Sequence, residues 1–292
     1  MKKTAFVLSG GGSRGAYEIG VWKALKELGT EIDMVFGTSV GAINGAMVAQ
    51  DEPELAERLW KQMETGMIFD IDTGGSPEQG AGEARPAGDD IRTGSIAATS
   101  KKLYDDIAES VDEKLEETEI AGLPAKEAIA YAREIVLHGG AGTEGLRELL
   151  DEYIDEDRVR SSGMTYGLVV TAVDFPAMHG QYLLADDIPE GRLNDYITAS
   201  ASCFPAARRY VIDGSSFIDG GYTDNMPVTM ALQQGAERIF TVDLHAAGIV
   251  RGGTVRQVKL QTEFHLLESS WELGSFLTFD KDNISRIIRL GY

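Results

Sequence analysis

Residues 32–45 read IDMVFGTSVGAING and join an apolar run to a stretch of small residues. The run 32–36 predicts a buried β-strand, and residues 41–49 predict a helix whose small side chains allow close packing on a sheet. Between them stands Ser39, flanked by Gly37 and Gly41 in the pattern G-x-S-x-G. That pattern is typical of a sharp strand-to-helix turn that presents a serine hydroxyl at a helix N-terminus. Ser39 is therefore the candidate nucleophile.

The residues before this turn predict the start of a parallel sheet. Residues 4–8 (TAFVL) are apolar like a buried strand, and GGGSRG follows at 10–15. Residues 17–28 place Ile19, Trp22, Leu25 and Leu28 on one helical face. The first 50 residues thus predict a strand-loop-helix-strand-turn-helix order, which is typical of α/β folds.

The rest of the chain predicts one domain, residues 1–292, with a helical, loop-rich insertion at about 51–160. Residues 70–100 are rich in Gly, Pro, Ser and Asp and predict a long loop. Helices are predicted at 54–63, 101–119, 124–138, 143–154, 192–202 and from 227, and strands at 166–173, 181–184, 210–212, 217–218 and 238–244. From about residue 255 the pattern predicts an amphipathic helical end.

Composition narrows the class of protein. The 292 residues carry a formal net charge of −20, which argues against a nucleic-acid partner because phosphates select basic surfaces. The apolar run at residues 5–8 is too short for a signal peptide, and no run approaches the length of a membrane span. The single cysteine, Cys203, fits a reducing compartment. We expect a cytoplasmic protein.

The glycine-rich turn GGGSRG has three interpretations. As a dinucleotide fingerprint it requires an acidic residue at the end of the second strand, but Glu31 and Asp33 precede that strand. Alternatively, the N–H groups of Gly10, Gly11, Gly12 and Gly15 form an anion-stabilising turn, since glycine lets backbone approach a ligand. The third interpretation is a tight β-α turn without chemistry.

The base that would activate Ser39 is either a histidine or a carboxylate. His245 and His265 lie late enough in the chain for a Ser-His-Asp triad. Ser39, however, follows only the second predicted strand, whereas the nucleophile of a Ser-His-Asp α/β-hydrolase follows several strands. His138 and His179 are expected at the surface. The carboxylate candidate is Asp219, which directly follows the apolar pair at residues 217–218 and precedes Gly220 and Gly221. Asp213-Gly214 is most simply a hairpin turn.

Taken together, GGGSRG, GTSVG and DGG, in this order, resemble the patatin-like phospholipase family over about residues 4–245. The stretch ASASCFPAARR and the pair Asn225 and Pro227 after DGG agree with that resemblance. It implies a three-layer α/β/α fold with a mainly parallel central sheet and a Ser-Asp dyad without histidine, metal or cofactor. Ser39 would be the nucleophile, Asp219 the proton acceptor, and Gly10, Gly11, Gly12 and Arg14 the oxyanion loop.

The resemblance implies a lipid acyl hydrolase acting as a phospholipase A, lysophospholipase or carboxylester hydrolase through an acyl-enzyme. The alternatives are a nucleotide-dependent oxidoreductase that uses GGGSRG and a catalytically silent lipid-binding module. For Arg14, pairing with an acidic side chain competes with contact to a lipid phosphate.

The expected partner is a lipid or ester substrate, with transient contact to a membrane surface. Candidate apolar contacts are Met63, Met67, Ile68 and Phe69, and near the end of the chain Phe276, Leu277 and Phe279. Core packing or a subunit interface in an oligomer is the competing explanation for each of them.

Overall fold

In a computed structural model, residues 2–68, 119–120, 123–124, 140–174 and 177–292 are described. Their strands are β1 (Thr4–Leu8), β2 (Met34–Thr38), β3 (Glu119–Ile120), β4 (Leu123–Pro124), β5 (Thr165–Asp174), β6 (Ala177–Leu184), β7 (Tyr210–Ile212), β8 (Ser215–Asp219), β9 (Arg238–Asp243) and β10 (Glu263–Glu268). Their α-helices are α1 (Ala16–Glu27), α2 (Val40–Gln50), α3 (Pro53–Gln62), α4 (Thr65–Ile68), α5 (Glu144–Tyr153), α6 (Glu156–Ser161), α7 (Leu193–Ser200), α8 (Val228–Gln233), α9 (Gly252–Gln261) and α10 (Lys281–Gly291).

Eight of these strands form one sheet in the order β10-β9-β1-β2-β5-β8-β7, with β6 also paired to β5. The run from β10 to β5 is parallel. β6 and β8 pair with β5 in the antiparallel sense, as β7 does with β8. The central strands β1 and β2 are buried along their whole length, as expected when helices cover both faces of a parallel sheet.

Helices cover the sheet on both sides and create two apolar cores. The larger core contains Trp22 of α1, Met47 of α2 and Ile287 of α10, together with apolar residues of α3, α5 and α7. On the other face, Met230 of α8 and Val258 of α9 pack against Val7 and Phe36 of the sheet. The predicted three-layer α/β/α fold with a mainly parallel sheet is confirmed.

Two expectations about local structure are wrong. The end of the chain is not wholly helical, because Glu263–Glu268 forms β10 between α9 and α10. This strand pairs with the open edge of β9 in parallel register, so it satisfies backbone groups that a helix there would leave unpaired. Leu28, predicted on the buried face of the first helix, follows the end of α1 and is 80% exposed.

Other expectations fall on residues that the structure does not describe. The loop at 70–100 and most of the predicted helices 101–119 and 124–138 lie outside the described residues. Between residues 69 and 139, only 119–120 and 123–124 are described, and they form the short antiparallel pair β3-β4. Among the described residues, no helix combines the length and apolar character that crossing a bilayer requires.

Candidate active site

Ser39 lies between β2 and α2 in a conformation that few side chains adopt, with φ 56° and ψ −127°. Both flanking glycines are required for steric reasons. A Cβ on Gly37 would lie 2.0 Å from the carbonyl oxygen of Gly41, and a Cβ on Gly41 would lie 2.4 Å from that of Leu8. The G-x-S-x-G pattern therefore reflects a turn packed directly against the end of β1.

The hydroxyl of Ser39 donates a hydrogen bond of 2.6 Å to Oδ2 of Asp219. The sheet explains the contact, because β5 lies between the two strands that carry these residues. Thr38 is in register with Val169 of β5, and Asp219 with the next residue, Val170. Ser39 and Asp219, the predicted nucleophile and base, therefore meet beside the middle of β5.

The carboxylate of Asp219 is held by its own turn. Its Oδ1 accepts a hydrogen bond of 2.7 Å from the N–H of Gly221. Gly220 lets this turn approach β5, since a Cβ there would lie 2.2 Å from the carbonyl oxygen of Val169. Asp219 is 5% exposed, and this burial raises its pKa to about 6, against the lowering effect of the bonds from Ser39 and Gly221. A carboxylate with this pKa is a stronger base than an ordinary aspartate.

The histidine alternative finds no support in the described contacts of Ser39. His265 stacks on Phe240 with 4.8 Å between the ring centroids. His245 lies near Asp243 and Glu268, and exposed His179 lies 3.6 Å from Asp174. His138 is outside the described residues.

The glycine-rich loop lies beside Ser39. A Cβ on Gly10 would lie 3.0 Å from Cβ of Ser39 and 2.3 Å from Oδ1 of Asn225. Gly10 donates its N–H to the backbone carbonyl oxygen of Asn225 at 3.2 Å. The side-chain amide of Asn225 donates in turn to the carbonyl oxygen of Gly10, also at 3.2 Å. The N–H groups of Gly11 and Gly12, by contrast, meet no protein acceptor within the described part of the chain. Of Gly10, Gly11 and Gly12, the latter two can therefore offer donors to an anion.

Gly15 and Arg14 support the loop rather than line the cavity. A Cβ on Gly15 would lie 2.6 Å from Cγ2 of Val40, so this glycine lets the loop pack on α2. Within the described ranges, Arg14 does not pair with an acidic side chain, which was one expectation. Its guanidinium donates to the carbonyl oxygens of Gly274 and His245, both at 2.8 Å, and so ties the loop to two later segments.

Ser200 is a site residue that sequence reasoning missed. Its hydroxyl accepts a hydrogen bond of 2.8 Å from the N–H of Ser39 and donates one of 2.7 Å to the carbonyl oxygen of Val169. It thereby fixes the backbone of the strained turn. The stretch ASASCFPAARR is recognisable as a motif, but nothing in it distinguishes Ser200 from Ser202 without the fold.

A cavity of about 360 Å³ opens beside Ser39 and Asp219. Its lining is mostly apolar and includes Val40, Ile43, Met63, Ile68, Leu146, Tyr222, Ile249, Phe276, Leu277 and Phe279. Five residues proposed from the sequence as membrane contacts line this cavity, while Met67 is exposed and Phe69 lies outside the described residues. Cys203 also lines the cavity, but burial and the nearby Asp219 raise the pKa of its thiol to about 12, so the thiol stays protonated.

The geometry bears on two other chemistries at this edge of the sheet. Asp33 accepts a hydrogen bond from the N–H of Thr4, at the start of β1, so it lies at the opposite end of the strand from the glycines and cannot hold a ribose beside them. Over the described ranges, the one group of acidic and histidine side chains that converges tightly enough for a metal ion is Asp243, His245 and Glu268. His245 and Glu268 are exposed, with 3.4 Å between Nε2 and Oε2, and exposed groups of this kind commonly converge without a metal ion.

Comparison with known proteins finds relatives over most of this chain. Patatin-like phospholipase domain-containing protein 7 of Rattus norvegicus is 23% identical over 248 residues, which are 82% of this chain and 13% of that protein. Lysophospholipase NTE1 of Mycosarcoma maydis is 26% identical over 238 residues, 82% of this chain and 9% of that protein. The chain thus spans about a tenth of the length of these relatives.

The fold has a counterpart among solved structures. VipD from Legionella pneumophila superposes with a TM-score of 0.50 at 14% identity, over 100% of this chain and 65% of VipD. The model of the family described as patatin-like phospholipase matches residues 6–232, which include all three motifs. This chain belongs to the patatin-like phospholipase family.

Proposed function

We propose that the chain is a lipid acyl hydrolase in which Ser39 is the nucleophile and Asp219 the general base. The observation that carries the proposal is the 2.6 Å hydrogen bond from Ser39 Oγ to Asp219 Oδ2 at the wall of an apolar cavity. A serine hydroxyl needs an adjacent base to attack an ester, and a buried carboxylate can fill this role directly.

The first half-reaction transfers the acyl group to the enzyme. As Ser39 Oγ attacks the ester carbonyl carbon, its proton passes to Asp219. The N–H groups of Gly11 and Gly12, which line the same cavity as Ser39, would stabilise the resulting oxyanion, and the positive N-terminal end of α2 favours the same charge. When the carbon–oxygen bond breaks, Asp219 returns the proton to the departing alcohol and leaves Ser39 acylated.

The second half-reaction releases the acid. Water attacks the acyl carbon and gives a proton to Asp219, and the carbon–Oγ bond then breaks as Ser39 takes that proton back. The products are a fatty acid and the free enzyme. Every proton transfer in the two half-reactions passes through Asp219.

The cavity favours a lipid ester as substrate. Among the described residues, its mostly apolar lining offers no charged partner for a polar acyl group besides Asp219, whereas a fatty acyl chain would bury apolar surface there. The lysophospholipase name of one relative points in the same direction. Phospholipids, lysophospholipids and small carboxylic esters are the proposed substrate class.

The test combines labelling with product analysis. A fluorophosphonate probe should label the wild type and not Ser39→Ala, and the wild type should release fatty acids from a mixed lipid extract, as read by mass spectrometry. Ser202→Ala is the matched control, since Ser202 is buried nearby and its hydroxyl donates to the carbonyl oxygen of Thr198, while its backbone carbonyl, which accepts the N–H of Asp219, is kept in the variant. Lipid binding without labelling or release would instead identify a silent lipid-binding module.

A further inference from the structure

The cavity beside Ser39 has two different ends. One end is formed by side chains that solvent hardly reaches, such as Met63, Leu146 and Phe279, at 1%, 2% and 9% exposure. At the other end Tyr222 and Ile249 are 37% and 53% exposed. If an ester lies at Ser39, an acyl chain gains most by entering the buried end, and a polar leaving group can then remain near solvent at the other.

Phe279 closes the buried end. Its ring lines the cavity on one side and stacks on Trp60 on the other, with 6.1 Å between centroids and 19° between planes. Trp60 is wholly buried and is not part of the lining, so it lies behind Phe279. The indole N–H of Trp60 donates to Oδ1 of Asn44 at 2.7 Å, which fixes the ring that supports Phe279.

The backbone around Phe279 is also fixed relative to the glycine loop. We call residues 274–279 the strap. Ser13 donates its N–H to the carbonyl oxygen of Phe276 at 2.9 Å and its hydroxyl to that of Ser275 at 2.6 Å. Arg14 holds Gly274, and the N–H of Phe279 donates to Oγ1 of Thr65 at 3.0 Å. The distance from the reacting ester to Phe279 is therefore set by hydrogen bonds at both ends of the strap.

Resting on the proposed function, we propose that Phe279 is the residue that determines the preferred length of the acyl chain. A rigid, closely packed end wall cannot yield to additional methylene groups, and each methylene that does not fit lowers kcat/KM by about tenfold or more. The strap lies beyond residues 6–232, the part matched by the family model.

The experiment measures kcat/KM for p-nitrophenyl esters with saturated acyl chains from four to eighteen carbons. Phe279→Ala should move the optimum to chains longer by about two to four carbons, because the void left by the ring admits them. Phe279→Trp should move the optimum in the opposite direction. Phe279→Leu, which preserves more of the packing on Trp60, should give a smaller shift to longer chains and serves if the alanine variant does not fold.

The matched control is Phe240→Ala. It removes an identical phenyl ring at a position outside the cavity lining, where the ring stacks on His265. Its length profile should match that of the wild type. Unshifted optima in all three Phe279 variants, with an active wild type whose Ser39 is labelled, would overturn this inference alone. A wild type that neither hydrolyses esters nor accepts the fluorophosphonate would overturn the proposed function itself.

Discussion

Ser39 Oγ and Asp219 Oδ2 lie 2.6 Å apart although 180 residues separate them in the chain. The contact exists because β2 runs parallel to β5 and β8 antiparallel to it, so that the two strands end towards each other at Val169 and Val170 of β5. The absence of a side chain lets Gly37 approach Gly41 within the Ser39 turn and lets Gly41 approach Leu8. In the same way, Gly220 lets the Asp219 turn approach Val169. The geometry of the pair is therefore a consequence of strand order and backbone packing, and it can be tested from either partner.

Replacing Asp219 with Asn should remove the base while preserving the shape of the site. Asparagine can accept the bond from Gly221 through Oδ1 and donate to Ser39 through its amide. We expect kcat/KM for ester hydrolysis to fall by about 10² to 10⁴, the usual contribution of a positioned general base. Steady-state kinetics measure this, with circular dichroism as the folding control. Activity within threefold of wild type would exclude Asp219 as the base.

The same variant should be more stable than the wild type at neutral pH. Burial raises the pKa of Asp219 from 3.8 to about 6, so the ionised carboxylate costs the folded state about 3 kcal/mol at pH 7. This contribution is absent well below pH 4, where both states are protonated, grows between about pH 4 and 6, where only the unfolded state ionises, and is nearly constant above 6. Thermal melts should show a higher Tm for Asp219→Asn at pH 7, with the difference shrinking towards pH 4. An equal or lower Tm at pH 7 would contradict the expectation.

The pH dependence of hydrolysis should report the same group. Only ionised Asp219 can accept the serine proton, so kcat/KM should rise from low pH to a plateau above 7, with a midpoint near 6. Asp224 supplies the control, because burial also raises its pKa to about 6 while its carboxylate contacts Tyr182 and the N–H of Met226. Asp224→Asn should therefore keep the midpoint near 6. A midpoint near 4 in the wild type would argue against a buried base.

Much of the site could be predicted from sequence because its motifs have local physical causes. At Gly37, Gly41 and Gly220, a Cβ atom would lie less than 2.5 Å from a backbone carbonyl oxygen, so no other residue fits there. The apolar runs of β1 and β2 identify buried parallel strands for a similarly local reason. What these motifs leave open is which carbonyl or side chain each loop meets.

The remaining features depend on contacts between distant segments. Arg14 binds carbonyl oxygens contributed by residues 245 and 274, and Phe276, Leu277 and Phe279 become cavity wall only because the strap crosses the glycine loop. Strand β10 escapes sequence reasoning because its side chains are only half-buried at the sheet edge, so its hydrophobic alternation is weak. No periodicity within these segments reveals such partners.

Ser200→Ala should weaken the turn that carries Ser39 while leaving the Ser39 hydroxyl in place. It removes the acceptor of the Ser39 N–H and leaves that donor buried and unpaired, which typically costs about 1 to 3 kcal/mol. We expect a lower Tm together with a reduced kcat, because the strained turn loses its anchor to Val169. Ser202→Ala is the matched control: it is equally buried and two residues away, but its hydroxyl bonds to a helical carbonyl. If both variants lost the same activity, the role of Ser200 would be general packing.

Gly41→Ala should damage both fold and activity, since its methyl group would lie 2.4 Å from the carbonyl oxygen of Leu8. Relief requires α2 to move away from β1, which would carry Ser39 away from the glycine loop. Overpacking of this kind costs about 1 to 3 kcal/mol, and the shift should reduce fluorophosphonate labelling of Ser39 at least tenfold. Gly66→Ala is the control, because a methyl group on this residue of α4 would have nothing within 4 Å, and it should change stability by less than about 0.5 kcal/mol. Labelling of Gly41→Ala at the wild-type rate would show that the turn tolerates a side chain there and that its close packing does not position the nucleophile.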